Sequence, residues 1–192
     1  QTVEAASDTV VIYEVYGGGG NSGATFKNDY INLKNISTEN LKLDGLYVHR
    51  GSAKAWQDKI ALTGNLKPGQ YYVVEAQEGF NKSAKALPRK DIEAKDMGIG
   101  AKNFAIALTR DGQKPSAANT IDLVGVGTAL FREASPSVAA SNNGSIRRIN
   151  DTDTDDNAKD FDYISLNESS LDYLLEETSK PEVTPKESTV TI

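Results

Sequence analysis

The most distinctive chemistry in the sequence is an acidic run between residues 151 and 162. Its first acids alternate with threonine, and a carboxylate stands again at the twelfth place. This spacing matches in part the oxygen ligands of a twelve-residue calcium loop, although the sixth place is Asp156 where such a loop requires glycine. Two interpretations stay open: a turn capped by its own side chains, or bound Ca²⁺, which would offset the repulsion between the carboxylates. The candidate ligands are Asp151, Asp153, Asp155, Asn157 and Asp162.

A glycine-rich loop at residues 17–23 is the second candidate site. Gly18, Gly20 and Gly23 spell a G-x-G-x-x-G pattern directly after a strand-like run. A dinucleotide site requires a helix N-terminus after the glycines, whereas this chain returns to a strand at Tyr30, and it has no Gly-Lys-Ser/Thr. We therefore favour a structural loop, with a ligand- or partner-binding loop that includes Asn21 as the alternative.

Basic residues are concentrated in residues 76–103, where acids are interspersed and strand alternation is absent. The composition favours a solvated excursion, with one short helix predicted over residues 88–97. The alternative is a surface that contacts anions or nucleic acid, although the chain as a whole lacks a basic field. The candidate contacts of that surface are Lys82, Lys85, Arg89, Arg147 and Arg148.

The chain has one histidine and one tryptophan, each of which could contribute to a site. His49 is the only histidine, and no motif of a serine hydrolase or a zinc enzyme surrounds it, so a partly exposed imidazole on a strand is the expectation. Trp56 is the only tryptophan, and we expect it to fill the core or cover it rather than to form a ligand platform. No convergent catalytic set is therefore predicted.

The elements that would position these residues are short strands. Residues 10–16 are mostly β-branched or aromatic and stop at four glycines, and the strand pattern resumes at residues 30–33, which predicts a hairpin. About eight such strands, with sixteen glycines and no alternation of strand and helix, predict an all-β sandwich or barrel. A short helix around Leu171–Leu175 is expected to dock on it.

Composition limits the class of protein further. At 192 residues the chain is long enough for one domain with its own core, and the absence of cysteine excludes disulfides and thiolate sites. No apolar run is long enough for a membrane span. We expect an extension at residues 1–8 that follows a signal-peptide cleavage, a sandwich at residues 9–168, and a linker or tail at residues 169–192. Residues 150–192 hold twelve acids and three bases, so the negative charge lies at the end.

Five segments together resemble a bacterial lamin tail domain, in order from about Val10 to Phe161. They are IYEVYGGGGNSGATFKNDYINLKN, LDGLYV, LTGNLKPGQYYVVEA, IDLVGVGTA and SIRRINDTDTDDNAKDF. The resemblance implies an immunoglobulin-like β-sandwich. It also implies a binding or anchoring unit of a secreted or cell-surface protein, often beside a nuclease or phosphoesterase domain. Asn32 stands where such sequences often carry an acid.

Three functions follow as hypotheses. The first is a non-catalytic module of an extracellular protein that holds a polymer, a protein ligand or an adjoining catalytic domain. The second is a metal-dependent phosphodiester hydrolase, in which Glu14 or Asp29 would join the acidic run to hold Mg²⁺ or Ca²⁺. The third is a nucleic-acid-binding module that uses the basic residues. Ca²⁺ is the one candidate cofactor, and no other cofactor is expected.

Overall fold

The computed structural model describes residues 6–176, so most of the predicted N-terminal extension and most of the tail lie outside the described residues. The described residues form twelve strands and two short helices. The strands are β1 Val10–Tyr16, β2 Asn28–Asn35, β3 Leu41–Lys42, β4 Tyr47–Gly51, β5 Trp56–Ala61, β6 Asn65–Leu66, β7 Tyr71–Glu78, β8 Ile92–Glu93, β9 Phe104–Thr109, β10 Thr120–Val126, β11 Gly144–Arg148 and β12 Phe161–Ser165, and the helices are α1 Asn157–Asp160 and α2 Tyr173–Glu176.

The predicted hairpin is confirmed as the pair β1 and β2. The two strands are antiparallel, with Val10 opposite Asn35 and Tyr16 opposite Tyr30. The register shifts between Ile12 and Glu14, which places a bulge at this point of β1. β11 pairs with β1 only at Glu14 and Val15. The amide and carbonyl of Ile12 therefore have no strand partner on that side and must be hydrogen-bonded by side chains.

Two sheets stack face to face, which confirms the all-β prediction. One has the order β12-β11-β1-β2-β7-β8 and the other has the order β10-β9-β4-β5. Apolar side chains of both sheets fill the space between them, for example Ile12 and Leu33 from the first and Val48, Ile106 and Val124 from the second. This shared core buries the apolar face of each sheet, which is what holds a sandwich together.

A second cluster of buried side chains lies at the outer face of the larger sheet. Tyr16, Phe26 and Tyr30 pack there with Leu171 and Leu174, so the predicted short helix is present as α2 and docks on the sandwich. Among residues 6–176, neither helix has the length and apolar content that crossing a membrane requires.

The helix predicted over residues 88–97 is wrong. This segment contains strand β8, which runs parallel to β7 with Val74 opposite Ile92 and Glu75 opposite Glu93. The amide of Asp91 donates to the carbonyl of Val73, and the amide of Ala94 donates to the carbonyl of Glu75. Pairing with β7 therefore overrides the local helix preference. The composition of residues 88–97 gives no sign of this pairing.

Candidate functional site

Asp122 and Arg148 form a buried pair where the two sheets meet. An Asp122 carboxylate oxygen, Oδ2, accepts a hydrogen bond from the amide of Ile12 at 2.6 Å and from Arg148 Nη2 at 2.7 Å. Arg148 Nε donates to the carbonyl of Ile12 at 2.8 Å. These side chains replace the missing strand partner beside the β1 bulge, and both are fully buried. Arg148, a candidate anion contact from sequence, lies inside the protein.

Asp122 belongs to a group of three carboxylates. One oxygen each from Asp122, Glu133 and Asp153 lies within 4.8 Å of the others. Asp122 is on β10, Glu133 is in the loop that follows β10, and Asp153 is in the acidic run. Within the described part of the chain, this is the group of acidic or histidine side chains whose spacing would suit a metal ion. Of the five predicted metal ligands, it contains only Asp153.

Asn157 holds Glu133 in place. Its side-chain Oδ1 accepts hydrogen bonds from the amides of Gly125 and Glu133, both at 2.9 Å. Its Nδ2 donates to the carbonyl of Leu123 at 2.9 Å and to Glu133 Oε2 at 3.2 Å. Asn157 therefore connects the Glu133 loop to β10. Both polar atoms of its side chain form hydrogen bonds within the protein.

The other oxygen of Glu133 has a different environment. Glu133 is completely buried, and no donor in residues 6–176 reaches its Oε1 atom. Burial raises the pKa of Glu133 well above its ordinary value, and the carboxylates of Asp122, Asp153 and Asp155 raise it further. Burial also raises the pKa of Asp122, although the Arg148 guanidinium opposes this effect.

The acidic run does not form one twelve-residue loop, because α1 begins at Asn157 and β12 begins at Phe161. Asp151 forms a salt bridge with Lys34 at 2.6 Å. Asp155 has a positive φ of 57°, and its amide donates to Asp153 Oδ1. Asp162 lies on β12 with an exposed side chain. The acidic side chains of the run therefore do not converge on one point.

The predicted glycine loop is packed against other backbone segments. A Cβ atom on Gly18 would lie 2.5 Å from the carbonyl oxygen of Asn142, and one on Gly20 would lie 2.4 Å from Gly79 Cα. Asn21 Nδ2 donates to Asn142 Oδ1 at 3.0 Å. Gly23 is exposed, with φ of +79° and nothing within 4 Å of an added Cβ. Close approach of backbone explains why Gly18 and Gly20 are glycines.

The buried side chain of Asp29 holds the same loop by hydrogen bonds. Its Oδ1 accepts from the amide of Gly19 at 2.8 Å and its Oδ2 accepts from the amide of Ile99 at 2.9 Å. Burial raises the pKa of Asp29 to about 6, while the two amide donors and Arg50 act in the opposite direction.

Arg147, another candidate anion contact, binds a buried carboxylate. Arg147 Nε and the Tyr173 hydroxyl donate to Glu14 Oε1 at 2.6 and 2.9 Å. The hydroxyls of Tyr30 and Ser145 donate to Glu14 Oε2. Glu14 is completely buried, and both of its oxygens are used by these contacts.

The remaining basic candidates also have partners. Arg89 donates to the carbonyls of Leu174 and Tyr71 and pairs with Asp91. Lys85 pairs with Glu168 at 2.7 Å, and the exposed Lys82 lies 4.0 Å from Glu78. Lys85, Arg89 and Arg147 each contact a group of residues 168–174. Arg148 is buried and Lys82 lies beside Glu78, so the five predicted basic contacts do not form one exposed surface.

A cleft lies beside β5 that the sequence did not indicate. It has a volume of about 330 Å³ and includes His49 and Trp56. The indole of Trp56 stacks on Phe131 at 4.9 Å and meets the His49 ring edge-on at 6.4 Å. Its polar lining is Gln57, Asp58, Lys59 and Lys114.

The expectation of a partly exposed His49 is wrong, because this residue is only 4% exposed. Its Nε2 lies 3.0 Å from Thr109 Oγ1, and burial lowers its pKa, so the imidazole is neutral near pH 7. An aromatic residue next to alternating polar positions on β5 is the one signal in the sequence that could have indicated the cleft.

The fold and its matches define an all-β module of the immunoglobulin-like class. The Lamin Tail Domain family model matches residues 4–128, and the chain belongs to this family. The crystal structure of a DUF4876 family protein from Bacteroides thetaiotaomicron is similar, with a TM-score of 0.60 and 13% sequence identity. The similarity covers 85% of this chain and 73% of that chain, and at this identity it shows the fold alone. No curated protein matches the chain.

Proposed function

We propose that this domain is a non-catalytic binding or anchoring module of an extracellular or cell-surface multidomain protein. The observation that carries the proposal is the cleft at Trp56. Membership of the Lamin Tail Domain family is compatible with such a location. An adjoining catalytic domain, of nuclease or phosphoesterase type, is the partner that the resemblance implies.

The cleft combines the features of a recognition site. Its volume is at the lower end of the range of small-ligand sites, and it joins aromatic rings to a few polar groups. Lys59 donates to the carbonyl of Gly112 at 2.5 Å, which fixes one wall. Asp58 pairs with Arg50, so its charge is balanced within the protein.

The charges of the cleft indicate the ligand class. Lys59 and Lys114 contribute positive charge, and the neutral His49 contributes none. We therefore infer a polymer that carries anionic groups, one unit of which contacts the aromatic side chains while its anionic group lies near the lysines.

Trp56 fluorescence tests this proposal, because Trp56 is the only tryptophan in the chain. The intact protein is titrated with polygalacturonate, with neutral dextran and with single-stranded DNA at low salt. We expect an anionic polymer to shift the emission of Trp56. Lys114→Ala and Gln57→Ala should each weaken that binding at least threefold, because both side chains are exposed and should tolerate replacement.

Lys82→Ala is the matched control, because Lys82 is an exposed lysine outside the cleft. Binding of DNA that is lost in Lys82→Ala and kept in Lys114→Ala would support the nucleic-acid hypothesis and contradict the cleft. An unchanged emission with all three polymers would also contradict it. Hydrolysis of bis-p-nitrophenyl phosphate that Asp153→Asn abolishes would establish the hydrolase instead.

A further inference from the structure

The carboxylates of Asp122, Glu133 and Asp153 are arranged as the ligands of one ion would be. Calcium binds oxygen ligands at about 2.3–2.6 Å, so two ligands of the same ion lie at most about 5 Å apart. The three oxygens satisfy this limit, since all lie within 4.8 Å of one another. They come from three separate segments of the fold, so this convergence is produced by the tertiary structure.

An independent observation at Glu133 also indicates a ligand. The side chain is completely buried, and its Oε1 atom is reached by no hydrogen-bond donor of the described residues. A buried carboxylate oxygen without a partner is costly, and native proteins rarely keep one without a reason. The surrounding contacts hold it in position, because Asn157 binds both the amide and the Oε2 atom of the same residue.

The donors around the group leave its negative charge uncompensated. Arg148 is the cation that contacts Asp122, and it also lies 3.6 Å from Asp160, so its charge is shared. Within residues 6–176, Asp153 accepts hydrogen bonds from two neutral backbone amides, of Ser7 at 2.7 Å and of Asp155 at 3.0 Å. Asp122 therefore shares one guanidinium with Asp160, and Glu133 adds a third carboxyl group that only a proton or a divalent cation can neutralise.

The ligand types favour calcium over other cations. An all-oxygen set without histidine or cysteine suits Ca²⁺ or Mg²⁺. Magnesium usually keeps several waters and binds one or two carboxylates, whereas calcium accepts several carboxylates in irregular geometry. We propose that Asp122, Glu133 and Asp153 bind a calcium ion that links β10, the loop after it and the acidic run. The site does not depend on the cleft at Trp56.

The test uses the intact chain after treatment with EDTA and dialysis. Calcium is added up to 10 mM, and binding is followed by calorimetry and by thermal melting. We expect a dissociation constant of about 0.1–1 mM, as in extracellular calcium modules. At 10 mM the melting temperature should rise by at least about 3 °C, and magnesium should raise it less.

Three variants locate the ion. Glu133→Gln and Asp153→Asn should each weaken calcium binding at least tenfold and remove the rise in melting temperature. Asp162→Asn is the matched control, because this acid belongs to the same run but lies exposed on β12. It should respond to calcium like the natural protein. Circular dichroism in EDTA checks that each variant is folded, and using two ligand variants guards against the misfolding of one.

Two results would overturn the proposal. One is a natural protein that shows neither heat nor a shift in melting temperature up to 10 mM calcium. The other is a response that Glu133→Gln and Asp153→Asn both keep. Loss of the response in Asp162→Asn but not in Glu133→Gln would place the ion along the linear run and would contradict the three-carboxylate site.

Discussion

Two buried glutamates of this domain, Glu14 and Glu133, lie in contrasting environments. Both are completely buried. Glu14 accepts hydrogen bonds on both oxygens from an arginine and three hydroxyls. Glu133 has one bond from an amide group to Oε2, two neighbouring carboxylates and no donor at Oε1 among the described residues.

The difference separates a structural carboxylate from a candidate ligand. At Glu14 the protein itself supplies the charge and the donors, so the site is complete without a further group. At Glu133 the protein supplies more negative charge, so the site is stable only with protonation or a cation. Burial of an acid alone therefore does not identify a functional site, and its partners must be examined.

The largest effect should come from Glu14→Gln. The change removes the charge that Arg147 faces, and the amide group of glutamine places a donor where an acceptor is needed. We expect the free energy of unfolding to fall by about 3 kcal/mol or more, measured by urea denaturation in EDTA. Glu133→Gln under the same conditions should change it by less than about 1 kcal/mol, because glutamine can donate to the neighbouring carboxylates. Equal losses in the two variants would contradict the comparison.

Asp29 is intermediate between the two, since both of its oxygens have donors but neither donor is charged. Its pKa of about 6 in the native state lies above the ordinary value of 3.8, so the native state binds the proton more tightly. Its contribution to stability is therefore full below pH 3.8 and is lost as pH rises to 6. This loss is of the order of 3 kcal/mol.

Asp29→Asn removes this titration. The free energy of unfolding of the variant relative to the natural protein should therefore increase as pH rises from 4 to 6 and stay constant above. Urea denaturation at several pH values in EDTA measures this difference. Asp96→Asn, at an exposed acid, is the control and should show no such trend. If the stability difference for Asp29→Asn does not change with pH, the two amide donors fully offset the burial of Asp29.

A smaller loss of stability than that of Glu14→Gln is expected for Tyr173→Phe. The hydroxyl donates to Glu14 Oε1 and accepts from Asn32 Nδ2 at 2.8 Å, while Arg147 still holds the same carboxylate oxygen. We expect a loss of about 1 kcal/mol in urea denaturation. Tyr163→Phe removes a hydroxyl from an exposed contact with Ser141 and should change stability by less than about 0.5 kcal/mol. A larger loss of stability for Tyr163→Phe than for Tyr173→Phe would show that burial of the hydroxyl does not determine the stability change.

Much of the fold follows from the sequence because strand patterns are local. The hairpin of β1 and β2 and the helix at Tyr173 are visible in runs of β-branched, aromatic and leucine side chains. The helix over residues 88–97 was a wrong prediction because the parallel partner of β8 is β7, which no local pattern shows. The burial of His49 was missed for a similar reason, since β4 is flanked by β5 and β9.

The candidate sites divide in the same way. The sequence determined that the chain is an all-β domain with an acidic run, and Asp153 is one of the ligand candidates that it predicts in that run. Asp122 could have been noticed as an acid inside an apolar strand, whereas nothing around Glu133 distinguishes it. Only the packing of two sheets brings these three carboxylates together, because side chains from segments far apart in sequence meet through long-range strand pairing, and their partners, charge and burial then determine what each can bind.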